Sequence, residues 1–348
     1  MTAETQERAV VGAAVLMRVR DLSVGYRRPH GWVPILDSVS FTVRAGEVVG
    51  LVGESGSGKT VSSLAAMGQL PRPLQVSGGA IEFEGRDLLA MDPKQVRKLR
   101  GVEVSMIFQD ALRCLNPAYT IGDQIAEPLR VHKGMSRAQA HERAVELLEL
   151  VEIPRARERA RAYPHQLSGG MCQRVMIAIA LACSPKLLIA DEPTTALDVT
   201  VQKQILRLLT RIQNEMDLGI LFITHDLGVV AEICDRTAVM YAGQIVEEGP
   251  TEELFRRPRH PYTHGLISSV PRIGHEDRRF GSIPGSVPKA GHWPTGCHFR
   301  TRCPYPQAGR CDDRPITLEV VDAGGPSRPV PHRVRCARSD ELTLEGVT

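Results

Sequence analysis

GESGSGKT, Gly53 to Thr60, follows the apolar run VVGLV and precedes the small-residue run VSSLAAM. The eight residues fit G-x-x-x-x-G-K-S/T in full, in the strand–loop–helix setting that the pattern requires. The physical reason is steric and electrostatic. Gly53, Gly56 and Gly58, with Glu54, Ser55 and Ser57 between them, let successive backbone N–H groups turn toward phosphate oxygens. The helix start that follows adds positive potential. Lys59 is expected to reach the β- and γ-phosphates of a nucleotide, and Thr60 to bind Mg2+.

The rest of the chain builds an α/β protein around this loop. VLMRVRDLSVGY (residues 15–26) alternates as a strand, and VSFTVRAGEVVGLVG holds two more strands broken at Ala45-Gly46. GAIEFEG and VEVSMIF (residues 102–108) read as further strands. Ser136 to Ile153 has helical periodicity, with Ala140, Ala144, Leu147, Leu148 and Val151 on one face, and Ser136 with Gln139 forms a capping box. KLLIADEP and GILFITHD are short apolar runs ending in polar residues, as expected of buried strands in a mainly parallel sheet. Functional groups in such sheets lie just beyond the strands' carboxyl ends. Asp191 is accordingly expected to help hold Mg2+, and Glu192 to act as general base or to orient the attacking water. Ser168-Gly169-Gly170 opens another apolar helix and offers a second anion site. A chain with one phosphate loop explains a second such helix start if it serves a nucleotide held by another subunit.

Composition excludes other classes. Hydrophobic content of 42% and charged content of 24% are ordinary for a globular protein. A net charge of +3 over 348 residues argues against an electrostatic nucleic-acid binder. No run approaches the ~20 apolar residues that span a bilayer, so a soluble, cytoplasmic protein is expected, with any membrane role supplied through a partner. Residues 1–14 read as an N-terminal extension.

Four of the eight cysteines gather at the end of the chain: Cys297, Cys303, Cys311 and Cys336. Disulfides are poor in a cytosolic protein. Zinc usually takes closely spaced cysteine pairs, which are absent here. An iron–sulfur cluster takes four thiolates at varied spacings, and unrelated buried thiols are a further alternative. Arg300, Arg302, Arg310, Arg314, Arg333 and Arg335 lie near these cysteines in sequence, which favours an anionic metal centre over loose thiols without choosing the metal.

The phosphate loop, LSGGM with QR, LLIADEPTTALD and FITHD occur in the order and spacing of ATP-binding cassette (ABC) ATPases, and the resemblance covers about residues 15–270. It implies an ABC ATPase core of mainly parallel sheet, an antiparallel β subdomain and a helical subdomain at about 111–165. By the same resemblance Tyr26 matches the aromatic that stacks on adenine, although Trp32 is nearby. Gln109 matches the glutamine that touches Mg2+ or the water and senses the membrane partner. Ser168 and Gly170 match the residues that complete the opposite subunit's ATP site, Asp198 an aspartate at the dimer interface, and His225 the histidine that contacts the γ-phosphate. Met171 stands where glutamine is commoner. The implied mechanism is two subunits closing head to tail over two ATP molecules.

LNP (residues 115–117), LSGGMCQRVMIAIAL, ADEPTTALDVTVQ, RHPYTHGLISSVP (residues 259–271) and IPGSVP further resemble the ATP-binding subunits of oligopeptide and dipeptide importers. QDALRCLNP departs from them by lacking an early proline. This branch implies a C-terminal module at 271–348 whose cysteine pattern is similar to that of members holding a 4Fe-4S cluster, with zinc the lesser alternative. It also implies as partners a second ABC ATPase subunit, a related chain or a second copy, two integral membrane permease subunits and, indirectly, an extracytoplasmic peptide-binding protein, with no nucleic acid. The expected location is the cytoplasmic face of the membrane. Relatives also handle nickel chelates and glutathione, and the alternative reading is a soluble ABC ATPase not coupled to transport.

Overall fold

The computed structural model describes residues 13–29, 31–195, 197–269, 283–322 and 330–346. The expected N-terminal extension and the start of the expected C-terminal module lie largely outside the described residues. The chain forms two compact units, Met1–Leu89 with Thr224–Thr348, and Ala90–Ile223.

The first unit begins with two long strands, β1 (Val15–Arg28) and β2 (Gly31–Arg44), paired antiparallel with Val19 opposite Phe41. Their alternation buries Met17, Val19, Leu22 and Val24 of β1 and Val39, Phe41 and Val43 of β2. β3 (Val48–Val52) is buried throughout and runs into α1 (Lys59–Ala66). β4 (Gln75–Phe83) and β5 (Arg86–Asp87) then complete a four-stranded antiparallel sheet in the order β2-β1-β4-β5.

In the second unit, α2 (Pro93–Leu99) leads to β6 (Val104–Ile107). A helical run follows: α3 (Ala111–Cys114), α4 (Ile121–Lys133), α5 (Arg137–Leu150), α6 (Ala156–Arg159) and α7 (Gly169–Leu181). The capping box of α5 is formed in both directions, and all five residues expected on its inner face are buried. Next come β7 (Leu187–Asp191), α8 (Val199–Met216) and β8 (Gly219–Thr224). β6, β7 and β8 are parallel, with Ile107 opposite Ala190 and Asp191 opposite Ile223. Every residue in them is buried, which is why their sequences are continuous apolar runs.

The chain then returns to the first unit through α9 (Leu227–Ile233), β9 (Arg236–Tyr241), β10 (Gln244–Pro250), α10 (Thr251–Arg256) and α11 (Pro261–Ser268). β3 pairs parallel with β9, β9 antiparallel with β10, and the tail adds β11 (Glu319–Asp322) and β12 (His332–Val334) beside β10. The described tail is part of the first unit, because β12 continues its sheet and Phe299 is buried against Tyr241 and Tyr262. Among the described residues no helix is long and apolar enough to cross a membrane.

Candidate functional site

The loop from Gly53 to Gly58 departs from the conformations open to most side chains. Gly53, Gly56 and Gly58 have φ of 155°, 81° and 109°. At Gly53 a Cβ would stand 2.1 Å from the carbonyl oxygen of Met240. Only glycine fits there, so the sequence pattern follows from the backbone path. Gly58 brings no capping side chain to α1, which suits an anion at this helix start. Lys59 is buried, its Nζ donating to the carbonyls of Gly53 (2.8 Å) and Glu54 (3.0 Å). Ser55 and Thr60 are exposed and Ser57 is buried.

Glu54 is held on three sides. Its N–H donates to the Tyr262 hydroxyl at 2.9 Å, and its carboxylate accepts from both terminal nitrogens of Arg302 at 3.0 and 3.2 Å. Its carbonyl is one of the two that Lys59 engages. Neither partner was expected as a site residue. HPYT marks Tyr262 in the sequence, but nothing near Arg302 says that its partner is Glu54.

Tyr26 lies on β1 with its ring half-buried and the Arg28 guanidinium 5.1 Å above it. Trp32 is next to it on the same hairpin, opposite Arg27 and exposed. Both rings stay available at this end of the sheet. His225 follows β8 and is exposed.

In the second unit the ends of β6 and β7 bring Gln109 and Glu192 together, the Gln109 amide donating to the Glu192 carboxylate at 2.9 Å. Thr195, which the motif reading left without a role, donates to the same oxygen at 2.8 Å. Glu192 has φ of 48°, a left-handed conformation that costs a non-glycine residue about 1 kcal/mol or more. Its N–H donates to the Ile223 carbonyl at 2.9 Å, which helps hold the strained geometry. Asp191 beside it is buried at the end of β7.

Ser168 is the N-cap of α7, its hydroxyl accepting from the Met171 N–H, and both Ser168 and Gly169 are exposed. A Cβ on Gly170 would stand 2.6 Å from a methyl of Val201, so the glycine permits close approach of α8. Asp198 is the N-cap of α8 and accepts from Thr200 and Val201. Arg174, the arginine of QR, donates to the Val151 carbonyl, Glu152 and Gln204, and so ties α7 to the end of α5 and to α8.

In the tail, Cys297, Cys303, Cys311 and Cys336 line one small cavity with Phe299, Tyr305 and Arg338, and none is in a disulfide. Burial, reinforced by the neighbouring cysteines, pushes the Cys297 thiol up to about 12 and that of Cys336 to about 11. Among the described residues no group of three or more His, Cys, Asp or Glu side chains is set to hold a metal ion. The expected iron–sulfur centre is therefore not shown by this arrangement. The arginines near these cysteines in sequence have partners of their own. Arg302 turns to Glu54, Arg335 to the carbonyls of Ile245 and Ile316, Arg310 to Glu341, and Arg300 to the Thr295 carbonyl. For Arg302 proximity in sequence misassigned the partner, whereas Arg300 lines the cysteine cavity and Arg310 also bonds the Ala337 carbonyl next to Cys336.

Comparison with known proteins agrees with these features. The family model "ABC transporter" matches residues 36–195, and "Oligopeptide/dipeptide transporter, C-terminal region" matches residues 246–311. The oligopeptide transport ATP-binding protein OppD of Salmonella typhimurium is 49% identical, over 92% of this chain and 95% of its own. The dipeptide transport ATP-binding protein DppD of Haemophilus influenzae is 52% identical, over 83% and 88%. Among solved structures, the ATP-binding cassette MJ0796 in a dimeric post-hydrolysis state with ADP and Pi is similar at a TM-score of 0.61 and 27% identity, covering 68% of this chain and 99% of that one. The nucleotide loop, the strained glutamate after β7, the capped LSGGM helix and the matched C-terminal region together place this chain in the ABC transporter ATPase family, in its oligopeptide/dipeptide transport branch.

Proposed function

We propose that this chain is the ATP-hydrolysing subunit that powers import of dipeptides or oligopeptides through a membrane permease. The observation that carries the reading is an intact nucleotide loop in the same chain as the C-terminal region of the peptide-transport branch. Gly53 to Thr60 would cradle the phosphates, Lys59 exchanging its two loop carbonyls for phosphate oxygens. Tyr26 would stack on adenine, and His225 would contact the γ-phosphate. Thr60, Gln109 and Asp191 would hold Mg2+, which neutralises charge on the phosphates. Glu192, aimed by Gln109 and Thr195, would take the proton of the attacking water. Ser168, Gly169, Gly170 and Asp198 would serve the ATP of a second cassette subunit, a related chain or a second copy. Two permease subunits would hold the pair at the cytoplasmic face of the membrane, and an extracytoplasmic peptide-binding protein would deliver the substrate to the opposite face.

Glu192→Gln is expected to lower kcat by about 10²- to 10⁴-fold while ATP binding persists. A variant that hydrolyses ATP at the wild-type rate removes Glu192 from the mechanism. Recovery of the full chain from membranes with two integral proteins, and peptide-stimulated ATPase in that complex, supports the transport reading. Recovery with ribosomes sinks it, and stimulation by nickel chelates or glutathione changes the substrate.

We further infer that the tail cysteines hold a 4Fe-4S cluster. What supports this is four reduced thiols on one cavity. A cluster is wider than a single ion, so its ligands stand farther apart than the tight set that zinc needs. Cys297, Cys303, Cys311 and Cys336 would be the ligands, and the cluster would supply a structural staple or a redox-sensitive contact.

A further inference from the structure

The tail reaches the nucleotide loop by two routes. The first is through Glu54. The Arg302 guanidinium is buried, with its side chain 6% exposed, and nearly every donor is spent. Besides Glu54 it bonds the carbonyls of Ile283 (3.2 Å), Pro284 (2.8 Å) and Gly285 (3.3 Å) in IPGSVP. Tyr262, at the start of α11, meets the N–H of the same Glu54. The rings of Tyr241, Tyr262 and Phe299 pack together beneath, with centroids 4.6 to 5.3 Å apart. The second route is through Ser57, whose carbonyl accepts from the Gly243 N–H at 2.9 Å. Gly243 lies so close under Trp293 of the tail that a Cβ would stand 2.6 Å from its ring, and His298 donates to the carbonyl of Ala242 at 2.8 Å.

We propose that Arg302 and Tyr262 are positioning residues for ATP binding, forming a clamp by which the C-terminal segment fixes the nucleotide loop through Glu54. Neither residue lies in a cassette motif. They fix a loop residue whose carbonyl, with that of Gly53, also receives Lys59. A bidentate arginine–carboxylate pair sets both distance and plane, which a single hydrogen bond does not. A preset loop binds its ligand without a further ordering cost. The ATP-affinity part of this proposal rests on the ATPase reading above.

The test uses the full chain without nucleotide and compares wild type with Arg302→Met, Tyr262→Phe, Glu54→Gln and the Arg302→Met/Glu54→Gln pair. Hydrogen–deuterium exchange of the peptide covering residues 50–60 is measured beside binding of the fluorescent analogue mant-ATP. The expected result is about tenfold faster exchange in the loop and about three- to tenfold weaker mant-ATP binding in Arg302→Met and Tyr262→Phe. The pair should be no weaker than Arg302→Met alone, because both changes remove one interaction. A merely structural Arg302 would loosen residues 283–288 and lower the melting temperature but leave loop exchange and affinity unchanged, and that result overturns the clamp. If Arg302→Met does not fold, Tyr262→Phe, which removes a single oxygen, carries the same measurement. If the wild type itself binds no mant-ATP, the ATPase reading fails, while the exchange measurement still decides whether the clamp exists.

Discussion

Glu192 shows how a residue-scale irregularity points to chemistry. A left-handed glutamate is retained only where its neighbours over-determine it, and here the Ile223 carbonyl, Gln109 and Thr195 do so. His260 is a second unusual residue. It is buried at the start of α11, where its Nδ1 accepts from the Tyr262 N–H. Burial first, and the nearby Arg335 second, lower its basicity to about 3 from the usual 6.5. The Glu247 carboxylate faces the same backbone turn but is taken by the N–H groups of Arg259 and His260 and by the His332 ring. Because the folded-state value is depressed, the unfolded chain binds a proton below about pH 6.5 that the folded chain refuses until about pH 3. His260 therefore makes stability fall as pH drops through that window. Denaturant titrations between about pH 7.5 and 4 should show a shallower decline in His260→Gln than in wild type, by about one proton's contribution. Equal slopes would remove His260 as the cause.

At the scale of elements, caps and buried charge hold the pieces in place. Ser136 and Gln139 close the start of α5 reciprocally, so Ser136→Ala should cost about 1 kcal/mol, read as a shift in the urea midpoint. β9 and β10 carry a deeper commitment. Arg236 is buried between Glu47, at 3.1 Å, and Glu248, which it also meets. Removing the arginine leaves two buried carboxylates with only the longer, more exposed contacts of Arg44 to Glu47 (3.6 Å) and Arg333 to Glu248 (3.9 Å). Arg236→Met should therefore cost about 3–5 kcal/mol, against less than about 1 kcal/mol for an exposed arginine such as Arg143, paired with Glu146 on the surface of α5. A similar loss from both would show that the buried network contributes nothing special.

At the scale of the whole molecule, the tail links the cysteine cavity to the nucleotide loop within one unit. Arg302 precedes Cys303 directly, so a centre held by the cysteines would fix the backbone that presents the clamp. Anaerobically purified protein is expected to contain about four iron and four sulfide per chain, and Cys303→Ser to lose them. Colourless protein carrying one zinc would replace the cluster with a zinc site. Protein without metal would leave four free thiols, of which those of Cys297, Cys303 and Cys336 are raised by burial and slow to alkylate.

The sequence by itself determined what depends on local spacing. The glycines of residues 53–58 declare a backbone that other residues cannot follow. The runs before Asp191 and Thr224 declare strands buried on both faces, and Ser136 with its 3.6-residue apolar period declares a capped helix. Tertiary structure alone decided which distant groups meet. Glu54 and Arg302 are 248 positions apart, and Gln109 and Glu192 are 83 apart. An arginine beside a cysteine in sequence carries no mark of where its long side chain will end. That direction is set by burial of Phe299 against Tyr241 and Tyr262, which turns the tail over the nucleotide loop and leaves Arg302 facing Glu54.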